Sequence, residues 1–279
     1  MAHIKENVPY IFIHPAWRGA WCWDKVLDVM HAWGRDAYAV DCPGHGERFN
    51  EIEDARLIDY PQAIVDFIEQ KKLDRVVLVG NSTGGLICQL TAQAVPEKIS
   101  HVVWYMAFIN ENGQSILDAC PPEYSKVLPQ LKNNRYPLPP REVIRARWMN
   151  GMTAEQQTAD LERWQEQPLH SFTDKPDLDR FYNDSRVQKI SKSFINGVKD
   201  MCFDWDYRKS WDPRLSGRIG KMGTDFTYAE IPSGHCGFND SPEELSLAVI
   251  ELAEYEYRTE AYAREELWRK SPSYLRGKR

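Results

Sequence analysis

In this 279-residue chain, a serine flanked by two glycines is the first place to look for chemistry. Ser82 stands in Gly80-Asn-Ser-Thr-Gly84, after a hydrophobic run and before a helical pattern. Glycines at this spacing permit a tight strand-to-helix turn that exposes the hydroxyl at a sheet edge. The helix N-terminus behind it adds positive potential and free N–H groups. A serine that merely capped the helix would need neither glycine nor the strand, so the pattern points to a nucleophile. His235, in Ser233-Gly-His-Cys-Gly237, follows the last apolar run and precedes the closing helix. A general base for such a serine belongs there. Between the two in chain order a carboxylate is expected, to hold the imidazole tautomer and stabilise its cation. Asp200, in Gly197-Val-Lys-Asp200, is the first choice, and Asp204 and Asp206 are rivals in the same acid-rich loop.

Acyl transfer also needs two backbone donors for the oxyanion. Thr83, directly after the serine, is one candidate. Ala16 is the other, because Pro15 has no N–H to give. Asp41 to Gly46 reads as a turn near the pocket, with His45 structural rather than catalytic. Among the ten tryptophans, Trp17, Trp104 and Trp148 are expected to line an apolar site, and Trp164 lies near it.

The elements that must carry these residues alternate. Tyr10–His14, Ala37–Asp41, Arg75–Gly80 and His101–Ile109 are apolar runs of strand length. Trp21–Trp33, Tyr60–Lys72 and Thr83–Val95 have helical periodicity, and Pro96 ends the last of them. Strand alternating with helix predicts a parallel sheet with helices on both faces. The rhythm breaks from Asn112 to Gln188, where proline clusters occur and helical patches run near Arg141–Met149 and Thr153–Gln165. This stretch, 112–188, is expected to be a cap inserted into a core made of 1–111 and 189–279. Lys192–Asn196 and Asp225–Ile231 resume the strands, and Glu243–Glu256 closes the core. The tail from Tyr257 is charged, with interleaved aromatics.

Composition narrows the rest. The chain is 42% hydrophobic with a net charge of −6, which disfavours nucleic acid as a partner. No run of 18 apolar residues would span a membrane, and Met1–Pro9 lacks the apolar core of a signal peptide. A cytoplasmic location is expected. Six scattered cysteines, with no metal-like spacing, are expected to be free and mostly buried.

Taken together, these residues resemble the plant-type methylesterase and hydroxynitrile lyase family of α/β hydrolases and its bacterial relatives. The stretches that carry the resemblance are His14-Pro-Ala-Trp-Arg-Gly-Ala-Trp-Cys-Trp23, Val77-Leu-Val-Gly-Asn-Ser-Thr-Gly-Gly-Leu86, Pro96-Glu-Lys-Ile-Ser100, Trp148-Met-Asn-Gly-Met-Thr153 and Gln167-Pro-Leu-His-Ser-Phe172. The likeness runs from about Pro9 to about Glu254. It implies an α/β-hydrolase fold and the triad Ser82, Asp200 and His235, with donors at Ala16 and Thr83. It implies no metal and no organic cofactor. The substrate would be a small ester, such as a methyl ester of an aromatic or other apolar acid, and a homodimer is possible. Two positions depart from the family. Its esterases usually carry glycine where Pro15 stands. Its lyases carry threonine there, and a lysine where Cys236 follows the histidine, so cyanide elimination is disfavoured. Ester hydrolysis is the first reading. A cofactor-free lyase, C–C hydrolase or decarboxylating esterase using the same pocket is the alternative, and a non-enzymatic small-molecule receptor the third.

Overall fold

The structure is a computed structural model that describes residues 8–120, 134–202 and 226–254. Four short apolar segments form the left and centre of one sheet. They are β1 (Tyr10–Ile13), β2 (Ala37–Val40), β3 (Val76–Ser82) and β4 (Ile99–Ala107). Two later ones, β7 (Ser191–Gly197) and β8 (Phe226–Ile231), complete it. The strand order is β2-β1-β3-β4-β7-β8, and every pairing is parallel. All seven residues of β3 are buried, as expected of a central parallel strand covered on both faces.

Alternation along each strand divides the helices between the faces. Tyr10 sends its hydroxyl to Glu254 in α10 (Pro242–Glu254), which follows the one-turn α9 (Gly237–Asp240), and Phe12 packs on Trp23 at the head of α1 (Asp24–Ala32). On the other face lie α2 (Asp59–Gln70) and α3 (Gly84–Ala94). The expected helix Trp21–Trp33 begins as a 3-10 turn, Ala20–Trp23, before the α-helix proper.

Strand β2 lies on one side of β1 and β3 on the other, so the chain reverses its direction of winding between β1 and β3. Loops leaving adjacent strands part at such a point and open a crevice at their carboxyl ends. Ser82 ends β3 and the loop from His14 leaves β1, so both reach that crevice.

Between β4 and β7 the chain leaves the sheet. The described part holds a two-residue ribbon, β5 (Arg135–Tyr136) antiparallel to β6 (Gln167–Pro168), which the periodicity gave no sign of. Around it are α4 (Arg141–Arg147), α5 (Ala154–Leu161), α6 (Leu169–Thr173), α7 (Asp179–Asn183) and α8 (Ser185–Gln188). Thr153 and Gln156 form a capping box that fixes the start of α5.

This excursion is tied to the core by a buried charge pair. Arg18 donates to Asp160 of α5 at 2.6 Å, with the two side chains only 1% and 4% exposed. The guanidinium lies over the ring of Trp164 and near that of Phe238. Asp160 also accepts from Trp164 Nε1 and from Asn239 Nδ2, both at 2.7 Å. Removing one member of a buried pair leaves a desolvated charge and costs about 3–5 kcal/mol, whereas well-packed apolar replacements for both can be neutral. Asp160→Ala is therefore expected to lower the urea midpoint strongly. The double variant Arg18→Met, Asp160→Leu should recover most of that loss, and equal midpoints for the two variants would refute the pairing energetics.

Candidate active site

The elbow at Ser82 is built by close approach. A Cβ on Gly80 would lie 2.6 Å from Gly84 O and 2.7 Å from Cys88 Sγ, and one on Gly84 would lie 2.6 Å from Ile13 O. Bare backbone at both positions lets α3 start directly against β3 and the end of β1. Ser82 itself has φ 52, a left-handed conformation that costs a non-glycine residue free energy and survives only when its surroundings impose it. Thr83 is the N-cap of α3, where backbone donors have no acceptor within the helix.

His235 sits on the loop after β8. Its Nδ1 lies 2.8 Å from Asp200 Oδ2, and both residues are buried. Its Nε2 is buried with no hydrogen-bond partner. The second oxygen of Asp200 accepts the N–H of Cys202 at 2.6 Å, so the carboxylate cannot swing away freely. The acid and base loops are also laced together, through Val198 N–H to Ile231 O and Lys199 N–H to Ser233 O. Asp200, the first choice from the sequence, lies against the imidazole. Asp204 and Asp206 lie outside the described residues, as does the tail from Tyr257.

Two residues to which the sequence alone assigns no role hold this loop. Tyr105 on β4 reaches Ser233 Oγ at 2.9 Å, donates to Gly234 O and accepts from Gly237 N–H at 3.0 Å. Its hydroxyl therefore pins the loop on both sides of His235. Asn81, next to the serine, donates to Tyr105 O at 2.9 Å and approaches His235 O at 3.5 Å. An asparagine and a tyrosine inside otherwise apolar strands were the available signal, since a buried polar group must find partners.

The loop after β1 is fixed peptide by peptide. Cys42 N–H donates to His14 Nε2 at 3.2 Å, so His14 Nδ1 carries the proton and donates to Pro15 O at 2.9 Å. Planarity of the Pro15–Ala16 peptide then aims the Ala16 N–H opposite to that carbonyl. The N–H of Trp17 is taken by Gln167 Oε1 at 2.7 Å, which leaves Ala16 rather than Trp17 as the donor this loop can offer. Asp41 shapes the neighbouring turn, accepting from Ala20 N–H and Glu47 N–H. His45 is buried in that turn, against His14 with ring centroids 4.7 Å apart. A small cavity of about 10 Å³, room for one water-sized group, is bordered by His14, His45, Tyr60, Thr83 and Gln167.

The tryptophans separate. Trp17, Trp148 and Trp164 form one cluster with Phe172, Trp17 and Trp164 being stacked at 6.3 Å. Trp104 does not belong to it, which corrects its assignment to the pocket. Its position on β4 points it to the opposite face from Tyr105, under α3, where it is fully buried and donates to Gly85 O. All six cysteines are free and buried. Cys236, beside the base, donates to Trp148 O at 2.8 Å, and burial pushes its thiol pKa up. Among the described residues no helix is long and apolar enough to cross a membrane.

Comparison with known proteins agrees with this fold. The profile described as Alpha/beta hydrolase family matches residues 10–248. The chain belongs to that family. Among solved structures of this fold, an extracellular α/β-hydrolase from a Paenibacillus species superposes with a TM-score of 0.78 at 26% identity, covering 89% of this chain and 100% of that one. Among curated relatives, Salicylic acid-binding protein 2 of Nicotiana tabacum is 32% identical over 39% of this chain and 43% of its own length. The carbendazim hydrolyzing esterase of a Nocardioides species is 31% identical over 42% of this chain and 50% of its own. The matched stretch thus spans half or less of those relatives.

Two paired histidines make the stability of the fold respond to acid. Burial lowers the pKa of His14 to about 4, and burial, with His14 alongside, lowers that of His45 to about 3. Both imidazoles are neutral in the fold but take up protons near pH 6.5 once unfolded. Stability is therefore whole above pH 6.5 and falls between pH 6.5 and about 4, by about 1.4 kcal/mol per pH unit for each ring. A His45→Asn variant is expected to show a shallower fall of Tm across that interval. A slope equal to the wild type's would show that His45 protonates in the native state.

Proposed function

We propose that this α/β hydrolase cleaves small carboxylic esters by acyl transfer through Ser82. The observation that carries this reading is the His235–Asp200 pair, buried and 2.8 Å apart, with His235 Nε2 left without a partner. An imidazole held by a carboxylate on one nitrogen and bare on the other is equipped to take a hydroxyl proton. Ser82 Oγ attacks the ester carbonyl as His235 accepts its proton. The N–H groups of Ala16 and Thr83 receive the charge that develops on the carbonyl oxygen. His235 then gives the proton to the leaving alcohol. Water, deprotonated by the same nitrogen, frees the acid from the acyl-enzyme. The similarity to the carbendazim hydrolyzing esterase and to Methylesterase 9 of Arabidopsis thaliana supports an ester as substrate.

Residues 112–188 act as a cap over the crevice in this reading, and Trp17 and Trp148 supply aromatic surface for an apolar acyl or alcohol group. Methyl esters of aromatic acids are the class to screen first. The position after the base argues against anion elimination. Cys236 is a neutral thiol turned to the Trp148 carbonyl, and so offers no positive charge to a departing anion.

A fluorophosphonate probe should add once to the wild type by intact mass, and not to Ser82→Ala or His235→Ala. Asp200→Asn should keep the fold and lower kcat by about 10³–10⁴-fold, because the imidazole loses its tautomer and its counter-charge. A wild type that stays unlabelled, or an unimpaired Asp200→Asn, would overturn the assignment.

A further inference from the structure

The proposed oxyanion hole is not made by the core alone. The peptides on either side of Trp17 are both held from the excursion between β4 and β7. Gln167 Oε1, on β6, accepts the Trp17 N–H at 2.7 Å, and Gln165 N–H donates to Trp17 O at 3.0 Å. Trp17 is one of five non-glycine residues with positive φ among the described residues, at 60. Such a conformation needs outside support, and here that support comes from residues some 150 positions away.

Gln167 is in turn locked. Its amide nitrogen donates to Ser171 Oγ at 2.6 Å, which orients the amide and presents the oxygen to Trp17. His45 Nε2 lies 3.0 Å from the same oxygen. The residue is 1% exposed, so water cannot replace a lost partner cheaply. Gln165 makes a parallel tie one turn away, accepting Gly46 N–H at 2.8 Å.

We propose that Gln167 is a positioning residue for the oxyanion hole, fixing the Ala16–Trp17 peptide so that the neighbouring Ala16 N–H points at the developing charge. This rests on the reading of Ser82 as an acylated nucleophile with Ala16 as a donor. On the same geometry, the excursion and the hole are assembled together. If the ribbon is displaced, the Trp17 backbone loses its two hydrogen bonds and the loop relaxes from its left-handed conformation. The hole is then correct only while the excursion is seated.

The test uses the full chain with 4-nitrophenyl acetate as substrate and fluorophosphonate titration to count active serines. Gln167→Met keeps the length of the side chain and removes the acceptor. Gln167→Glu keeps an acceptor for Trp17 N–H. Per active serine, Gln167→Met is expected to lower kcat by about 10²-fold with little change in KM, since a donor misplaced by an ångström acts only in the transition state. Gln167→Glu is expected to recover part of that loss. Fewer titratable serines with an unchanged kcat for each would mean a folding role alone and would overturn the proposal. So would equal loss in the two variants. A wild type that forms no Ser82 adduct removes the underlying reading together with the proposal. A wild type that acylates beside an unimpaired Gln167→Met removes the proposal alone.

Discussion

A guanidinium cannot be left unpaired in an apolar interior, and much of this molecule's arrangement answers that constraint. Arg18 belongs to the loop that also carries Ala16. Its partner, Asp160, belongs to α5. Asp160 accepts in addition from Asn239, and Arg18 approaches Cys236 Sγ at 3.3 Å, both a few residues from the base. The charge pair therefore joins three separate segments: the loop after β1, the excursion and the histidine loop. Desolvation makes each partner depend on the other, so none of the three segments can move without exposing or stranding a charge.

Around that junction the site is assembled from two directions. The sheet supplies the serine at the point where its winding reverses, and supplies Tyr105, whose hydroxyl holds the histidine loop. Carboxylate and imidazole are buried together, which fixes their mutual geometry without reliance on solvent. From the other side come the backbone contacts of Gln165 and Gln167. The aromatic cluster of Trp17, Trp148, Trp164 and Phe172 fills the space between core and excursion with rings whose packing tolerates little slack.

Some of this was legible in the order of residues. An apolar run, a serine between glycines and a helical pattern define the elbow locally, because strand period, turn and helix period occupy adjacent windows. Chain order brought His235 and Asp200 forward as partners, but Asp204 and Asp206 satisfied the same order. The 2.8 Å contact places Asp200 against the histidine, while Asp204 and Asp206 lie outside the described residues. Trp104 shows the opposite limit. Its type suits a pocket, yet the side of the sheet it faces depends on strand register, which a single run of apolar residues does not reveal. The pairs Arg18–Asp160 and Trp17–Gln167 were beyond reach. Their members lie 142 and 150 positions apart, and neither carries a periodic signal.

The ribbon β5–β6 is short, but its location divides the excursion into two kinds of surface. Gln165 and Gln167 are committed to the backbone of the core, while Glu166 between them is part-exposed and pairs with Arg135 within the excursion. On α4 and α5 one side is buried at Ile144, Asp160 and Leu161, while Arg141, Glu142, Ala154 and Glu155 are exposed. Substitutions on the outward faces of α4 and α5 therefore leave the ties between excursion and core intact. A change at Gln165 or Gln167, by contrast, reaches the backbone beside Ala16 directly.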